Sequence, residues 1–398
     1  MTLSSTYSGL RVLDLSTNIA GPFAAMILGD LGADVIKIER YPSGDDTRAL
    51  PPRWGDEATV FMAVNRNKRS VLLDLKSAEG REAVLKLAET ADTVVDSFPP
   101  GLAKELQLSF DDFRARNPRI VLCSISAFGD GRIGATLPGY DALVQAASGM
   151  MSFTGIEDAP AVRLAPSVLD LSTGLWAAMG IMAALTRRER GGTGEHLRLS
   201  LIDSAFNLMC HQILAYVATD ELPKKLGSGA PSAAPYRVYV AQDGELMIAT
   251  ATDAQFVRLC GALGAADMAV DSRFGSVSDR IRNRDALDAA IGGKIRGASV
   301  SYWLETLFRA GISCSQVNNL AEALTMPITS ERHLFVDSQE LGSKGGLKLL
   351  RLPIDPSGSA IRRRPPFLGE HSTAVLRESG FDEELIAKLT CVERGAGR

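Results

Sequence analysis

Histidine and cysteine are scarce in this chain, four and five among 398 residues. The cysteines, Cys123, Cys210, Cys260, Cys314 and Cys391, are odd in number and scattered. They form no CxxC and no Cys/His ligand spacing, which argues against a disulfide framework and a zinc site and points to a reducing, cytoplasmic setting. His196, His211, His333 and His371 include no i,i+4 pair and no HExxH, so no metal site is expected. His211, in an apolar stretch, reads as a satisfied core residue. There is no basic surplus: 43 Lys and Arg against 47 Asp and Glu leave a net charge of −4. That balance lacks the electrostatic footprint of a nucleic-acid or anionic-membrane binder. The first residues carry no basic segment followed by an apolar one, so no signal peptide is expected. The apolar run around Leu175–Leu185 reads as too short to span a bilayer. No GxSxG occurs, which removes the commonest serine-hydrolase signature.

What is present is the composition of a soluble globular protein, 45% hydrophobic and 23% charged. The length predicts two domains. The first stretch predicts a strand over Arg11–Leu15, a turn over Asn18–Pro22, a helix over Phe23–Leu31 and a second strand over Ala33–Glu39. The alternation continues with strands at Ser70–Leu75, Thr93–Asp96 and Ile120–Ser126. Helices fall at Ala78–Thr90 and after a capping box at Ser109–Asp112. Such alternation predicts an α/β domain built on a parallel sheet. A long helix is expected after Ile202–Ala205, through Met209 and Leu214. Beyond a Gly/Pro/Ala-rich linker at 227–235, a second domain is predicted. It carries a hairpin turning at Asp243-Gly244 and helices at Ala254–Leu263, Asn283–Ile295 and Ser301–Ala310.

The opening β-α-β invites a dinucleotide reading, with Glu39 on a ribose. The turn, however, has Ile19 and Pro22 where a GxGxxG fingerprint needs glycine. Cations near strand ends offer instead to hold a phosphorylated ligand: Arg40, the Asn67-Lys68-Arg69 run, Lys76 and Lys104. Arg40 is the best of these, because a guanidinium also lies flat on an adenine ring. Taken singly, each cation reads first as a solvated surface charge.

Asp170 opens an apolar, helix-spaced run that closes on Arg187-Arg188-Glu189-Arg190. A carboxylate there is favoured by the helix dipole, and Asp is a preferred N-cap. A carboxylate can also attack an activated acyl group and form a covalent intermediate, with helix-end N–H groups stabilising the developing charge. On these residues alone the cap reading stands ahead of the nucleophile, which stays open.

Taken together, the segments resemble the class III CoA-transferases (the CaiB/BaiF family, which includes formyl-CoA transferase) over essentially the whole chain. The resemblance rests on Gly9-Leu-Arg-Val-Leu-Asp14, Gly21-Pro22, Leu31–Arg40, Asn67-Lys-Arg-Ser70, Phe98–Gly101 and Gly139-Tyr-Asp141. Asp170 with Gly174, Thr193-Gly194 and Pro365–His371 complete it, in matching order and spacing. It implies a Rossmann-like large domain with a parallel sheet, taking both chain ends (1–225 and 325–398), and a smaller α+β domain (226–324). It further implies an interlocked homodimer, whose chain crossings fall at 227–235 and 318–335. The resemblance makes Asp170 the nucleophile, forming an aspartyl anhydride and then an aspartyl-CoA thioester. No metal or redox cofactor is implied. Coenzyme A, as acyl-CoA substrate, is expected against Arg40, Leu73, Lys76, Ser97, Phe98 and Tyr140, with Ile19 near the pantetheine path. Ser97 stands where the family often has asparagine. Glu105 stands where a basic residue is expected, which leaves Lys104 as its candidate replacement. Gly229–Ala234 is the nearest counterpart of the family's tetraglycine loop.

The expected reaction moves CoA from an acyl-CoA, with succinyl-CoA a candidate donor, to a small mono- or dicarboxylic acid. Arg163, Arg237 and Arg332 are candidate clamps for a second carboxylate. The alternative on the same fold is 2-methylacyl-CoA racemisation, which needs a second proton-transfer group. Relatives place a histidine where this chain has Tyr140, and no histidine precedes Glu195. A noncatalytic CoA-binding scaffold is the third reading, with Asp170 as a cap only.

Overall fold

The structure, a computed structural model, describes residues 3–337, 346–355 and 357–391. The chain forms two compact units, one of Met1–Ser148, Leu164–Ile213 and Glu331–Arg398, the other of Gly149–Arg163 and Leu214–Ser330.

The first unit is organised on a parallel sheet: β1 (Arg11–Asp14), β2 (Asp34–Arg40), β3 (Lys68–Leu73), β4 (Thr93–Asp96), β5 (Val121–Ser126) and β6 (Glu195–Ser200). Their order across the sheet is β3-β2-β1-β4-β5-β6. The chain winds outward from β1 in one direction, then returns to β4 and winds in the other. The switch lies between β1 and β4, and open α/β sheets place ligands beyond the carboxyl ends of the strands at such a point.

Side chains alternate across the sheet. Leu13, Ile36, Ile38, Val71, Val94 and Leu122 face a core closed by Val84 and Leu87 of α2 (Ala78–Ala88), by Phe113 of α3 (Phe110–Arg116), and by Val375, Leu376 and Ile386 near the chain's end. The opposite face receives α1 (Ala20–Asp30), whose Gly29 lies against Val35 and whose Gly21 lies against Val95. The expected capping box forms: the Ser109 and Asp112 side chains each bond the other's main-chain N–H.

Two further helices build the site, α4 (Asp141–Ala147) and α5 (Val168–Glu189). At 22 residues, α5 is long and apolar enough by composition to cross a membrane, which corrects the shorter run read in the sequence. Its buried stripe, Leu169, Thr173, Ala177, Ile181, Ala184 and Leu185, packs in this unit against α1, β5 and β6. The helix expected to run through Met209 is broken there, into Leu201–Leu208 and Cys210–Thr219. His211 is exposed, not a core residue. Cys123, Cys210, Cys260 and Cys314 are free thiols, and the Cys391 side chain lies outside the described residues.

The second unit holds an antiparallel sheet of β7 (Tyr236–Val240), β8 (Glu245–Ala249) and β9 (Ser313–Gln316), with β8 central. Helices Asp253–Ala262, Arg284–Ile295 and Val300–Arg309 cover it, enclosing Leu246, Ile248, Phe256, Leu259, Ile291, Trp303 and Leu307. The hairpin turns at Asp243-Gly244 as expected, and the Asp243 carboxylate accepts the Val300 N–H at 2.7 Å.

Candidate active site

The expected ligand residues after β1, β2, β3 and β4 gather at the carboxyl edge of the sheet. Ile19 follows β1 and precedes α1, Arg40 ends β2, Leu73 ends β3, and Ser97 and Phe98 follow β4. Across the switch point, the Thr17 N–H donates to Ser97 Oγ at 2.9 Å, tying the two flanking loops together. Arg40 is exposed and paired with Asp46. Lys76, Lys104 and Tyr140 are exposed as well, Tyr140 at 67%. The Leu73 side chain is buried in the core, so only its main chain could meet a ligand.

Several cations singled out from the sequence are spent inside the fold. Lys68 is wholly buried on Asp14, and Arg69 is paired with Asp34 and Glu378. Asn67 donates to Asp30 and to the Ala360 carbonyl. None of the Asn67-Lys68-Arg69 run is free for a phosphate. Glu39 is buried too: Arg48 grips it with two bonds of 2.7 Å and Ser70 Oγ donates to it at 2.6 Å, so it reaches no ribose.

Asp170 sits in the first turn of α5, whose N-cap residue is Ser167 and makes no side-chain cap hydrogen bond. Three of the four N–H groups a helix start leaves over, those of Val168, Leu169 and Asp170, are taken by other acceptors. Val168 donates to the Pro166 carbonyl at 2.8 Å, while Leu171 begins the helix's own ladder on the Ser167 carbonyl at 3.0 Å. Leu169 and Asp170 both donate to Asp141 Oδ2, at 2.7 and 3.2 Å. This corrects two expectations: Asp141, at the start of α4, is the cap, and the first-turn N–H groups of α5 are not free to receive an oxyanion. Asp141 is itself braced by the Gln145 amide, whose own oxygen accepts the Leu164 N–H at 2.9 Å.

The Asp170 carboxylate is half-buried, and no described residue hydrogen-bonds it. Burial first, and the neighbouring Asp141 charge second, push its pKa up to about 7. Gly174, one turn further along the same face, touches α1; a Cβ there would lie 2.7 Å from the Ala20 carbonyl oxygen. Asp170 is thereby held next to the start of α1 and the switch-point turn. A carboxylate that is unpaired, poorly solvated and fixed on a helix is equipped to attack an electrophile.

A second polar line runs beneath the loop after β4. Asp96 accepts the Phe98 N–H at 3.1 Å and Ser124 Oγ at 2.6 Å, and Ser124 Oγ lies 2.9 Å from His196 Nε2. Burial raises Asp96 to about 6 and lowers His196 to about 4.

In the second unit, Arg284 donates to the Ala230 and Ala233 carbonyls and Arg280 to Ala234, fixing the Gly229–Ala234 loop. Arg237 is committed to Asp288 at 2.7 Å.

The sequence profile of CoA-transferase family III matches residues 7–372. The chain belongs to this family and is a CoA-transferase. It is 36% identical to an acetyl-CoA:oxalate CoA-transferase from Acetobacter aceti, over 95% of this chain and 96% of that one. It is 35% identical to a succinate–glutarate CoA-transferase from Agrobacterium fabrum, over 93% and 95%. The crystal structure of a CaiB/BaiF family protein from Brucella suis superposes with a TM-score of 0.83 at 34% identity, covering 94% of this chain and 98% of that one.

The segments that carry the family likeness divide by what they do in this CoA-transferase. Arg40, Ser97, Phe98, Tyr140 and Asp170 lie at or beside the carboxyl edge or on exposed ground. Asp14, Lys37 and Asn67–Ser70 are buried structure, and the terminal motif, with Pro365 and Pro366 buried but Phe367, Leu368 and Glu370 exposed, is fastened to it: the His371 N–H donates to the Ser70 carbonyl and Gly369 to Ser70 Oγ. Reading the sequence missed the cap role of Asp141, although it lay within a quoted motif. It missed the Asp96–Ser124–His196 line altogether. An Asp four residues before Gln, ahead of a second Asp-led helix, was the available signal for the first.

Proposed function

We propose that this enzyme transfers CoA from an acyl-CoA to a small mono- or dicarboxylic acid, with Asp170 as nucleophile. The observation that carries the reading is the unpaired, half-buried Asp170 carboxylate beside the switch-point turn. The carboxylate attacks the thioester carbonyl; a C–O bond forms, the C–S bond breaks, and CoA thiolate leaves a mixed anhydride. The thiolate then attacks the aspartyl carbonyl, releasing the donor acid and leaving an aspartyl-CoA thioester. The acceptor carboxylate attacks that thioester, and the thiolate freed returns to the acceptor's acyl carbon, restoring Asp170. No net proton is gained or lost. Dividing the exchange in this way replaces one difficult step with easier ones.

The relatives support dicarboxylates as substrates: their names carry oxalate, glutarate and, in Haloarcula marismortui, succinyl-CoA with mesaconate. Succinyl-CoA is accordingly the proposed donor. In this reading Arg40, Lys76, Ser97, Phe98, Tyr140 and the Leu73 main chain receive coenzyme A, with Ile19 along the pantetheine and Lys104 at the nucleotide end. The reading includes a cytoplasmic, interlocked homodimer whose CoA-holding domain spans 1–225 and 325–398.

The test is chemical trapping. Protein turning over succinyl-CoA with a panel of dicarboxylates is quenched with hydroxylamine or borohydride and its peptides are weighed. Modification of the peptide holding Asp170 is expected, and Asp170→Ala should abolish transfer while retaining CoA binding. An unmodified peptide during turnover would overturn the assignment. Cα–deuterium exchange without added acid would instead favour the racemase.

A further inference from the structure

Beneath the switch-point turn, between the sheet and α1, four charged side chains are sealed from solvent: Asp14, Lys37 and Lys68 at 0% exposure and Asp45 at 2%. Two ammonium groups and two carboxylates balance in charge. Such a cluster is a poor source of stability, since replacing buried ion pairs by well-packed apolar groups is often neutral or favourable. Its hydrogen bonds suggest another use.

Lys68 has three acceptors for its three N–H donors, whereas Lys37 joins one hydrogen bond to two ion pairs. Lys37 Nζ donates to the Ser16 carbonyl at 2.9 Å and is ion-paired with Asp45 Oδ2 at 2.9 Å and Asp14 Oδ2 at 3.7 Å. Lys68 Nζ reaches Asp14 Oδ2 and the Pro22 carbonyl at 2.8 Å and Asn65 Oδ1 at 2.7 Å. The carboxylates complete the grip. Asp14 Oδ1 accepts the Ser16 N–H at 3.1 Å and the Ser16 hydroxyl. Asp45 Oδ1 accepts the Asn18 N–H at 3.3 Å, where Asn18 holds a left-handed φ of 68°. The turn is thus fastened at Ser16, Asn18 and Pro22, on both sides of Ile19.

We propose that Lys37 and Lys68 are positioning residues for CoA transfer, fixing the Ser16–Pro22 turn so that the bound thioester meets the Asp170 carboxylate. This rests on the reading of Asp170 as nucleophile. The turn is one wall of the switch point, tied to the other through Thr17 and Ser97, and it leads into the α1 start that touches Gly174. Loosening the cluster changes where the reacting carbon rests, while Arg40 and Lys76 still hold the nucleotide end.

The test compares Lys68→Met, the charge-balanced double variant Asp14→Asn/Lys68→Met, and the isosteric Asp45→Asn with a control, Arg66→Met. Arg66 is a similarly buried cation whose guanidinium is paired with Asp30 at the far end of α1. Succinyl-CoA and glutarate serve as probes, with kcat, KM, Tm and the rate of Asp170 adduct formation as readouts. For the cluster variants kcat and the adduct rate should fall on the order of 100-fold, the usual effect of misplacing a reacting centre by about 1 Å. KM for succinyl-CoA should stay within about threefold, and Arg66→Met should lose Tm without losing kcat. Where the single variant fails to fold, the double variant or Asp45→Asn decides. Folded cluster variants with unchanged kcat, or an equal loss of kcat in Arg66→Met, would overturn the proposal. Absence of the adduct from the wild-type protein would instead defeat the nucleophile assignment.

Discussion

Asp141 Oδ2 accepts the main-chain N–H of Asp170 at 3.2 Å, so the carboxylate that anchors the start of α5 also opposes ionisation of the Asp170 side chain. The two acids have separate environments. Asp141 is hydrogen-bonded by Leu169, Asp170 and Gln145, whereas Asp170 has no such donor among the described residues. Paired titratable groups kept in unlike surroundings are how one site keeps one acid as structure and the other for chemistry.

The first prediction is a pH dependence. As the proposed nucleophile, Asp170 would attack only when ionised, and its pKa is raised to about 7. The free-enzyme profile, kcat/KM against pH, should therefore rise through a midpoint near 7. Asp141→Asn should move that midpoint down by the smaller part of the shift, because burial is the larger cause. Stability should run the opposite way. The folded protein holds this proton more tightly than the unfolded chain, so stability is lost as pH rises from about 4, the unfolded carboxyl value, toward 7. Asp170→Asn should consequently raise Tm at pH 8 more than at pH 5. A flat kcat/KM between pH 5.5 and 8 would contradict the assignment.

Asp141→Ala removes a cap and leaves the Leu169 and Asp170 N–H groups without their acceptor. A loss of about 1–2 kcal/mol is expected, the range for N-cap deletions. Asp141→Asn keeps an acceptor oxygen and should cost less. If activity followed stability alone, both variants would recover wild-type kcat below their melting range. The expected result is that Asp141→Ala does not, since the first turn of α5 also aims Asp170. Thermal unfolding and initial rates at two temperatures check this.

Two glycines of α5 make an internal comparison. A Cβ on Gly174 would lie 2.7 Å from the Ala20 carbonyl oxygen and 3.0 Å from Phe23 Cδ1, so Gly174→Ala should force α1 and α5 apart. Overpacking of this kind costs about 1–3 kcal/mol, and kcat should fall with it. A Cβ on Gly180 would meet only Leu197 Cδ1, at an ordinary 3.4 Å. There the helix gains up to about 1 kcal/mol from Ala over Gly, and activity should be untouched. Equal Tm shifts in the two variants would contradict the packing argument.

The inner strands were legible because Arg11–Leu15, Ala33–Glu39 and Thr93–Asp96 are short apolar runs between helical ones. The outermost strand, Glu195-His-Leu-Arg-Leu-Ser200, was not, since four of its six residues are polar and β5 is its only strand neighbour among the described residues. Ser313–Gln316 hid for the same reason, with no large apolar residue to mark it. Within the site, Asp170 was legible as a carboxylate at a helix start, but the residue performing the cap was not. Helix starts are uncertain by a residue or two, and the true cap comes from 29 positions away. Lys68 shows the converse: a lysine in sequence reads as solvated, and only the approach of Asp14, Asn65 and Pro22 reveals that it is buried.

The last prediction separates the exposed cations from the buried ones. Among the described residues Arg40 pairs only with Asp46, on open surface, and an exposed pair of this kind is worth about 0–1 kcal/mol. Arg40→Ala should leave Tm nearly unchanged while raising KM for succinyl-CoA, with kcat at saturation retained. Lys76→Ala should act the same way. Each rise in KM should shrink as salt is added, because charges exposed to solvent are screened over about 10 Å at 0.1 M. Glu105, exposed beside Lys104, should oppose a phosphorylated ligand, so Glu105→Lys is expected to lower KM for CoA esters. An Arg40→Ala enzyme with wild-type KM at low salt would show that the nucleotide end of the thioester is held elsewhere on this unit.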